Sequence, residues 1–250
     1  MDTAILLIED LLKKFDGVVA VKDFNVKIRE KKIYALIGPN GAGKTTLFDL
    51  ISGHLRSDNG TIIFKNEIVN NRAPHIITRK GIGRTFQELR FIQNMTVIEN
   101  VMFCFKNQKG ENILEALLGR DRFDFDFYKN KALEILNSLH IADKAENPAY
   151  ELSYGQQKLL SLACCLALEP DLLLLDEPTA GVNPEIINTI LDLMLAQRDI
   201  GKTILLIEHN MDVVMNICDY VIFMDNGHKL AEGDPGTVRN DPKIIKAYLD

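Results

Sequence analysis

At 250 residues, 46% of them hydrophobic, the chain is long enough for one large α/β domain or a core with a sizeable insertion. Its 29 basic against 35 acidic residues give a formal net charge of −6, which weighs against a nucleic-acid partner held by bulk electrostatics. No run approaches the roughly 18 uninterrupted apolar residues of a spanning helix, and the N-terminus lacks the basic start and apolar stretch of a secretion signal, so a cytoplasmic chain is expected.

Residues 5–11 are apolar-rich and residues 24–29 alternate at period two, so the chain is expected to open in strands. Residues 32–37 form a short apolar run, the pattern of a strand buried on both faces of a parallel sheet. That run ends in Gly38-Pro39-Asn40-Gly41-Ala42-Gly43-Lys44-Thr45-Thr46, and a helical pattern with Leu47, Leu50 and Ile51 follows and stops near Gly53. From about residue 88 to 150 the apolar positions fall at helical spacing, first Ile113, Leu114, Leu117 and Leu118, then Leu133, Leu136 and Leu139. This stretch reads as a mostly helical insertion, with the aromatic-acidic residues 123–128 as a solvated loop carrying a few packed aromatics. Beyond it, residues 172–175 and 203–207 are further buried strands, separated by a helix from about Pro184 to Arg198. Cys104, Cys164, Cys165 and Cys218 include no C-x-x-C pair and read as reduced, packed thiols.

Three segments carry chemistry. Residues 38–45 match G-x-x-x-x-G-K-[ST] between a predicted strand and a predicted helix, the context that motif needs. Glycines let the backbone curl so that N–H groups face phosphate oxygens, and the helix adds its positive end. Lys44 then reaches the β- and γ-phosphates, and the Thr45 hydroxyl can ligate Mg²⁺. The second segment is the apolar strand at 172–175 ending in Asp176-Glu177, which delivers two carboxylates to the ligand-binding edge of a sheet. Asp176 is expected to hold Mg²⁺ through water, and Glu177 to orient or deprotonate the attacking water. Taken alone, that Asp-Glu pair equally suits a cap for the following helix. The third is Leu152-Ser153-Tyr154-Gly155-Gln156 before a helix beginning near Gln157. Ser153 and Gly155 offer a hydroxyl and a bare N–H to a γ-phosphate, and the alternative is a plain N-cap at Ser153.

With these segments in order, the chain resembles the ATP-binding subunits of ATP-binding-cassette transporters over essentially its whole length. The resemblance makes residues 38–45 Walker A, 172–176 Walker B and 152–156 the family signature, with Tyr154 where glycine is commoner. It implies a P-loop NTPase (RecA-like) α/β core with a mixed sheet, an antiparallel β portion at the N-terminus and an inserted helical subdomain. The core is expected at 1–87 and 156–230, the helical subdomain at 88–155 and a short C-terminal extension at 231–250. The resemblance further makes Gln87 the link from Mg²⁺ and water to the helical subdomain, and His209 the histidine on the γ-phosphate. Phe15 falls where an aromatic stacks on adenine; ordinary core is the alternative there. Ala180-Gly181-Val182-Asn183-Pro184 resembles the loop crossing the dimer interface, with Asn183 for a more usual aspartate.

The segment from Arg84 to Gln87, residues 94–101, the signature variant and the chain ending narrow the resemblance to branched-chain amino acid uptake ATPases. Cys164 departs from it, standing where that group usually has arginine. The implied machine hydrolyses ATP with Mg²⁺ as a homodimer, or a heterodimer with a related ATPase. It drives two membrane-spanning permease subunits from the inner face of the cell membrane, with a substrate-binding protein engaged indirectly. The rivals are an ATPase for lipid or lipopolysaccharide export, a soluble mechanical ATPase and a small-molecule P-loop kinase. The paired signature segment and His209 weigh against the kinase.

Overall fold

Ile33–Ile37 is buried at every position, a pattern a strand satisfies only when both of its faces are covered. In the computed structural model, which describes residues 3–87, 91–106 and 125–239, this strand (β3) sits inside a six-stranded sheet. The other members are β6 (Ile82–Arg84), β7 (Leu172–Asp176), β8 (Thr203–Ile207), β9 (Tyr220–Asp225) and β10 (His228–Gly233), in the order β10-β9-β3-β8-β7-β6. Neighbours from β9 to β6 are parallel, and β10 pairs antiparallel with β9, so the sheet is mixed as expected. The register sets Leu36 beside Ile207, and Ile207 beside Asp176. The chain therefore leaves β3, β7 and β8 at one edge, the carboxyl edge where open α/β sheets hold ligands.

A second, antiparallel sheet takes β1 (Ala4–Phe15), β2 (Val18–Arg29), β4 (Asn59–Phe64) and β5 (Glu67–Ile68) in the order β2-β1-β4-β5. One apolar cluster unites the inner faces of both sheets with Leu47, Phe48, Leu50 and Ile51 of α1 (Lys44–Ile51). These elements, with α2 (Pro74–Lys80), form a first compact unit comprising the described parts of Met1–Gln87, Pro170–Ala180 and Met194–Asp250.

The second unit takes the described parts of Glu88–Glu169 and Gly181–Leu193. It holds α3 (Val97–Phe103), α4 (Phe125–Ser138) and α5 (Tyr154–Ala167), and the first turns of α6 (Pro184–Asp199), a helix that ends in the first unit. The sequence reading assigns 156–169 and 181–193 to the core instead. The difference has a packing cause: Leu159, Leu160, Leu162, Ala163 and Leu166 of α5 are buried, and α5 packs on α3 and α4. Among the described residues the first unit also holds the α-helices α7 (Met211–Ile217) and α8 (Pro235–Arg239).

Two further expectations change. The helix expected near Gln157 starts at Tyr154, because Ser153 and Gln156 form a capping box that closes the first turn earlier. The aromatic-acidic stretch is helical from Phe125 onward, where Phe127 packs edge-on against Tyr128 and Tyr128 against Phe105. Residues 113–118, 123–124 and 240–250 lie outside the described residues.

Candidate active site

The turn after β3 is built on glycines that no other residue could replace. Gly38 has φ +151°, and a Cβ there would lie 1.9 Å from the Met224 carbonyl oxygen. At Gly43, φ +101°, a Cβ would lie 2.1 Å from the Ala20 carbonyl oxygen. The turn is thus pressed between β2 and the β9–β10 hairpin, whose Gly227 N–H donates to the Ala42 carbonyl at 3.0 Å. Lys44 opens α1 and is only 6% exposed. Its ammonium donates to the carbonyls of Gly38 and Pro39, both at 2.8 Å, so the loop wraps its own cation. Burial pulls the Lys44 ammonium below the ordinary lysine range, against the opposing pull of the Glu177 and then the Asp176 carboxylate.

The turn opens on a cleft of about 500 Å³. Asn40, Gly41, Ala42, Gly43, Lys44, Thr45 and Thr46 line it, together with Gln87, Glu177 and His209. The structure thus gathers on one wall residues from four separate segments. Glu177 follows β7 in a left-handed conformation, φ +47°, which a non-glycine residue adopts at a cost. Its N–H donates to the Ile207 carbonyl at 3.0 Å, which aims the side chain outward past the strand end. Its carboxylate meets His209 Nε2 at 3.1 Å and accepts a long hydrogen bond from Gln87 Nε2 at 3.5 Å.

Asp176 stands behind this wall, 5% exposed, and is absent from the cleft lining. Its N–H donates to Thr85 Oγ1 at 3.2 Å, and its carboxylate lies 3.5 Å from the Arg84 guanidinium. Arg84 in turn donates to Asp49 at 2.6 Å and Ser52 at 2.8 Å, between the Phe48 and Phe86 rings. Burial raises the Asp176 carboxyl above the ordinary carboxylate range; Arg84 opposes that rise and Glu177 adds to it.

Several contributors carry no local signal. Val18, Val19 and Ala20 of β2 line the cleft, and so does Asn226. The Asn226-Gly227 pair between two strands is a hairpin signal that would have located that turn, though not its packing on the loop. Glu208, 2% exposed, accepts from Thr179 N–H at 3.1 Å and Thr179 Oγ1 at 2.5 Å. It also accepts from the N–H groups of His209 at 3.0 Å and Asn210 at 3.3 Å, so it binds the loop after Glu177 to the one bearing His209. Phe15 does not line the cleft. It is 41% exposed beneath the Lys13 ammonium, and its cross-strand partner Val18 is the residue that faces the cleft.

In the second unit, Ser153, Tyr154, Gly155 and Gln156 line a separate cleft of about 480 Å³ with His140, Gly181, Asn183 and Ile186. Leu152 is buried and does not line it. Ser153 Oγ accepts the Gln156 N–H at 3.4 Å while Gln156 Oε1 accepts the Ser153 N–H at 3.0 Å. The N-cap alternative at Ser153 is therefore realised within this chain. Asn183 Oδ1 likewise accepts the Ile186 N–H at 2.9 Å at the start of α6, a role that asparagine fills as well as aspartate. The Tyr154 ring lies on the Gly181 backbone, where a Cβ would come within 3.3 Å of it.

Chemically, the first cleft joins a helix N-terminus and an ammonium, suited to phosphate, with a carboxylate held by an imidazole. A family model described as ABC transporter matches residues 21–180. The chain is 37% identical to BraF, the high-affinity branched-chain amino acid transport ATP-binding protein of Pseudomonas aeruginosa, across 100% of this chain and 99% of that one. It is 36% identical to LivG of Archaeoglobus fulgidus, a probable branched-chain amino acid transport ATP-binding protein, across 98% and 95%. Among solved structures, a nucleotide-free ATP-binding cassette from an ABC transporter superposes with a TM-score of 0.86 at 32% identity, covering 99% of this chain and 100% of that one. An ADP conformation of such a cassette gives 0.85 at 33% identity, covering 99% of each. Sequence, fold and the chemistry of the cleft agree that this chain belongs to the ABC transporter family.

Proposed function

We propose that this ATP-hydrolysing subunit powers the uptake of branched-chain amino acids. The observation that carries the ATPase reading is the convergence of Lys44, Gln87, Glu177 and His209 on one cleft of about 500 Å³. The full-length similarity to BraF and LivG supports the choice of cargo.

In this reading the N–H groups of residues 38–46 and the Lys44 ammonium hold the β- and γ-phosphates. ATP has to draw Lys44 Nζ away from the Gly38 and Pro39 carbonyls. Glu177 orients the attacking water and takes its proton, and His209, already on that carboxylate, steadies it and reaches the γ-phosphate. Phe15 or its neighbour Val18 supports the adenine.

Thr45 and Gln87 would hold Mg²⁺, with Asp176 reaching it through water. Their donor set fits, being all oxygen: hydroxyl, amide and carboxylate. Among the described residues no group of three His, Cys, Asp or Glu could form an all-protein metal cage, which also suits an ion taken largely through phosphate and water. When bound, Mg²⁺ neutralises charge on the β- and γ-oxygens. Asp176, kept beside Arg84, supplies the carboxylate at a fixed strand end.

Two subunits, identical or related, would close head to tail so that Leu152-Ser153-Tyr154-Gly155-Gln156 of one covers ATP on the other. Residues 88–155 would pass that closure to two permease subunits at the cytoplasmic face of the membrane, and a substrate-binding protein would supply the cargo. Among the described residues no helix is long and apolar enough to cross a membrane, so contact with the bilayer would run through those permeases.

Glu177→Gln tests the site: ATP affinity by equilibrium titration should stay within about threefold while turnover falls by about 100-fold or more. Undiminished hydrolysis would end the Glu177 assignment. For the cargo, gentle detergent extraction should co-purify two permeases of the amino-acid type; recovery of lipid-export permeases would replace that reading.

A further inference from the structure

Outside the nucleotide cleft, two thiols from distant parts of the chain meet inside the helical unit. Cys104 caps the C-terminus of α3, and Cys164 lies in α5, sixty residues on in the sequence. Both sulfurs are directed at one acceptor, the Asn100 carbonyl, Cys104 Sγ at 3.3 Å and Cys164 Sγ at 3.6 Å. Sharing that one acceptor brings the two thiols side by side. Neither is fully buried, in contrast to Cys165 and Cys218. The resemblance to amino-acid uptake ATPases leads one to expect an arginine at 164; the cysteine there is what creates the pair.

We propose that Cys104 and Cys164 form a reversible oxidation site, a dithiol that a peroxide closes into an intramolecular disulfide joining α3 to α5. The chemistry divides the two roles. The neighbouring Cys164 thiol draws the Cys104 thiol below its ordinary range, so Cys104 is the nucleophile. The same contact, with burial, pushes Cys164 well above its ordinary value, so it stays protonated as the resolving thiol. Burial pushes Cys165 and Cys218 up to about 12 each, which leaves them inert. The Cys104 thiolate attacks peroxide: an S–O bond forms, the O–O bond breaks, and hydroxide takes up a proton and leaves as water. Cys164 sulfur then attacks the sulfenic sulfur. The S–S bond forms, the S–O bond breaks, and the thiol proton departs with the hydroxyl as a second water. Two electrons pass from the thiols to the peroxide, and an external dithiol reverses the change. Since α5 begins at Tyr154, the bridge would fasten the helix that presents the signature segment to α3.

The test uses the reduced full-length chain, treated with hydrogen peroxide in its native state, quenched in acid, unfolded, alkylated and digested. The expected product is a peptide pair linked through Cys104 and Cys164 in a monomeric chain that has lost two hydrogen atoms. Dithiothreitol should abolish it, and Cys165 and Cys218 should be recovered alkylated. Cys104→Ser and Cys164→Ser should each fail to give it. The proposal is overturned if all four cysteines are recovered as free thiols. It is equally overturned if the bridge uses Cys165, Cys218 or a second chain, or if Cys104 ends as sulfinic or sulfonic acid beside a free Cys164.

Discussion

At the end of β8 a carboxylate with 2% of its surface exposed accepts four hydrogen bonds, two from Thr179 and two from the backbone of His209 and Asn210. Such a group holds shape in the interior, because each donor it satisfies would otherwise be buried unpaired at a cost of about 1–3 kcal/mol. Glu208 therefore positions His209 and the loop after Glu177 without touching the cleft. Glu208→Gln keeps the volume but turns one acceptor oxygen into a donor facing N–H groups. The expected result is turnover lower by about tenfold, with ATP affinity within about twofold by equilibrium titration. An equal loss in both would mean that Glu208 supports the phosphate loop itself. Glu208 was not legible in the sequence, where it reads as one residue between an apolar strand and a histidine. Residues 38–46 and the Asp176-Glu177 pair were legible, because their chemistry depends on close neighbours along the chain. Which side chain faces the cleft was not: Asp176 lies behind the wall, and Val18 rather than Phe15 forms its edge.

Among the elements, α3 and α5 share one device, a capping box at the N-terminus. In α3, Thr96 Oγ1 accepts the Glu99 N–H at 3.2 Å and Glu99 Oε2 accepts the Thr96 N–H at 2.8 Å. Thr96→Ala should lower unfolding stability by about 1 kcal/mol, read from a denaturant titration. The bond from the Thr96 backbone, then the contact with its hydroxyl, holds the Glu99 carboxyl below the ordinary glutamate range. A depressed carboxyl contributes fully above its unfolded-state value, and the contribution is lost as pH falls through the folded value. Glu99→Gln should therefore be less stable than the unaltered chain at neutral pH, and the gap should narrow in acid. A gap independent of pH would sink the charge argument. Both boxes follow the S/T-x-x-E/Q pattern, but at the signature the pattern competed with a phosphate-binding reading of the same residues. Ser153 and Gln156 satisfy each other at the start of α5, a cap compatible with the contact proposed for the same segment across a dimer.

For the molecule as a whole, the proposed closure on ATP makes a prediction about mass. Glu177→Gln with ATP should run as a dimer by light scattering, and the same variant with ADP as a monomer. A monomer with both nucleotides would remove the head-to-tail arrangement. By itself the sequence determined the P-loop, the buried strand ending in two carboxylates, the α/β class and the presence of a helical insertion. Each of these rests on a short run with its own period or spacing, and local backbone geometry suffices to produce them. Tertiary structure alone decided the strand order β10-β9-β3-β8-β7-β6, and with it the meeting of Gln87 and His209 on the Glu177 carboxylate. It also decided that α5 packs with the helical unit, and that Cys104 and Cys164 share a carbonyl across sixty residues of chain. Those contacts depend on register and on which faces bury each other, and no local pattern carries that information.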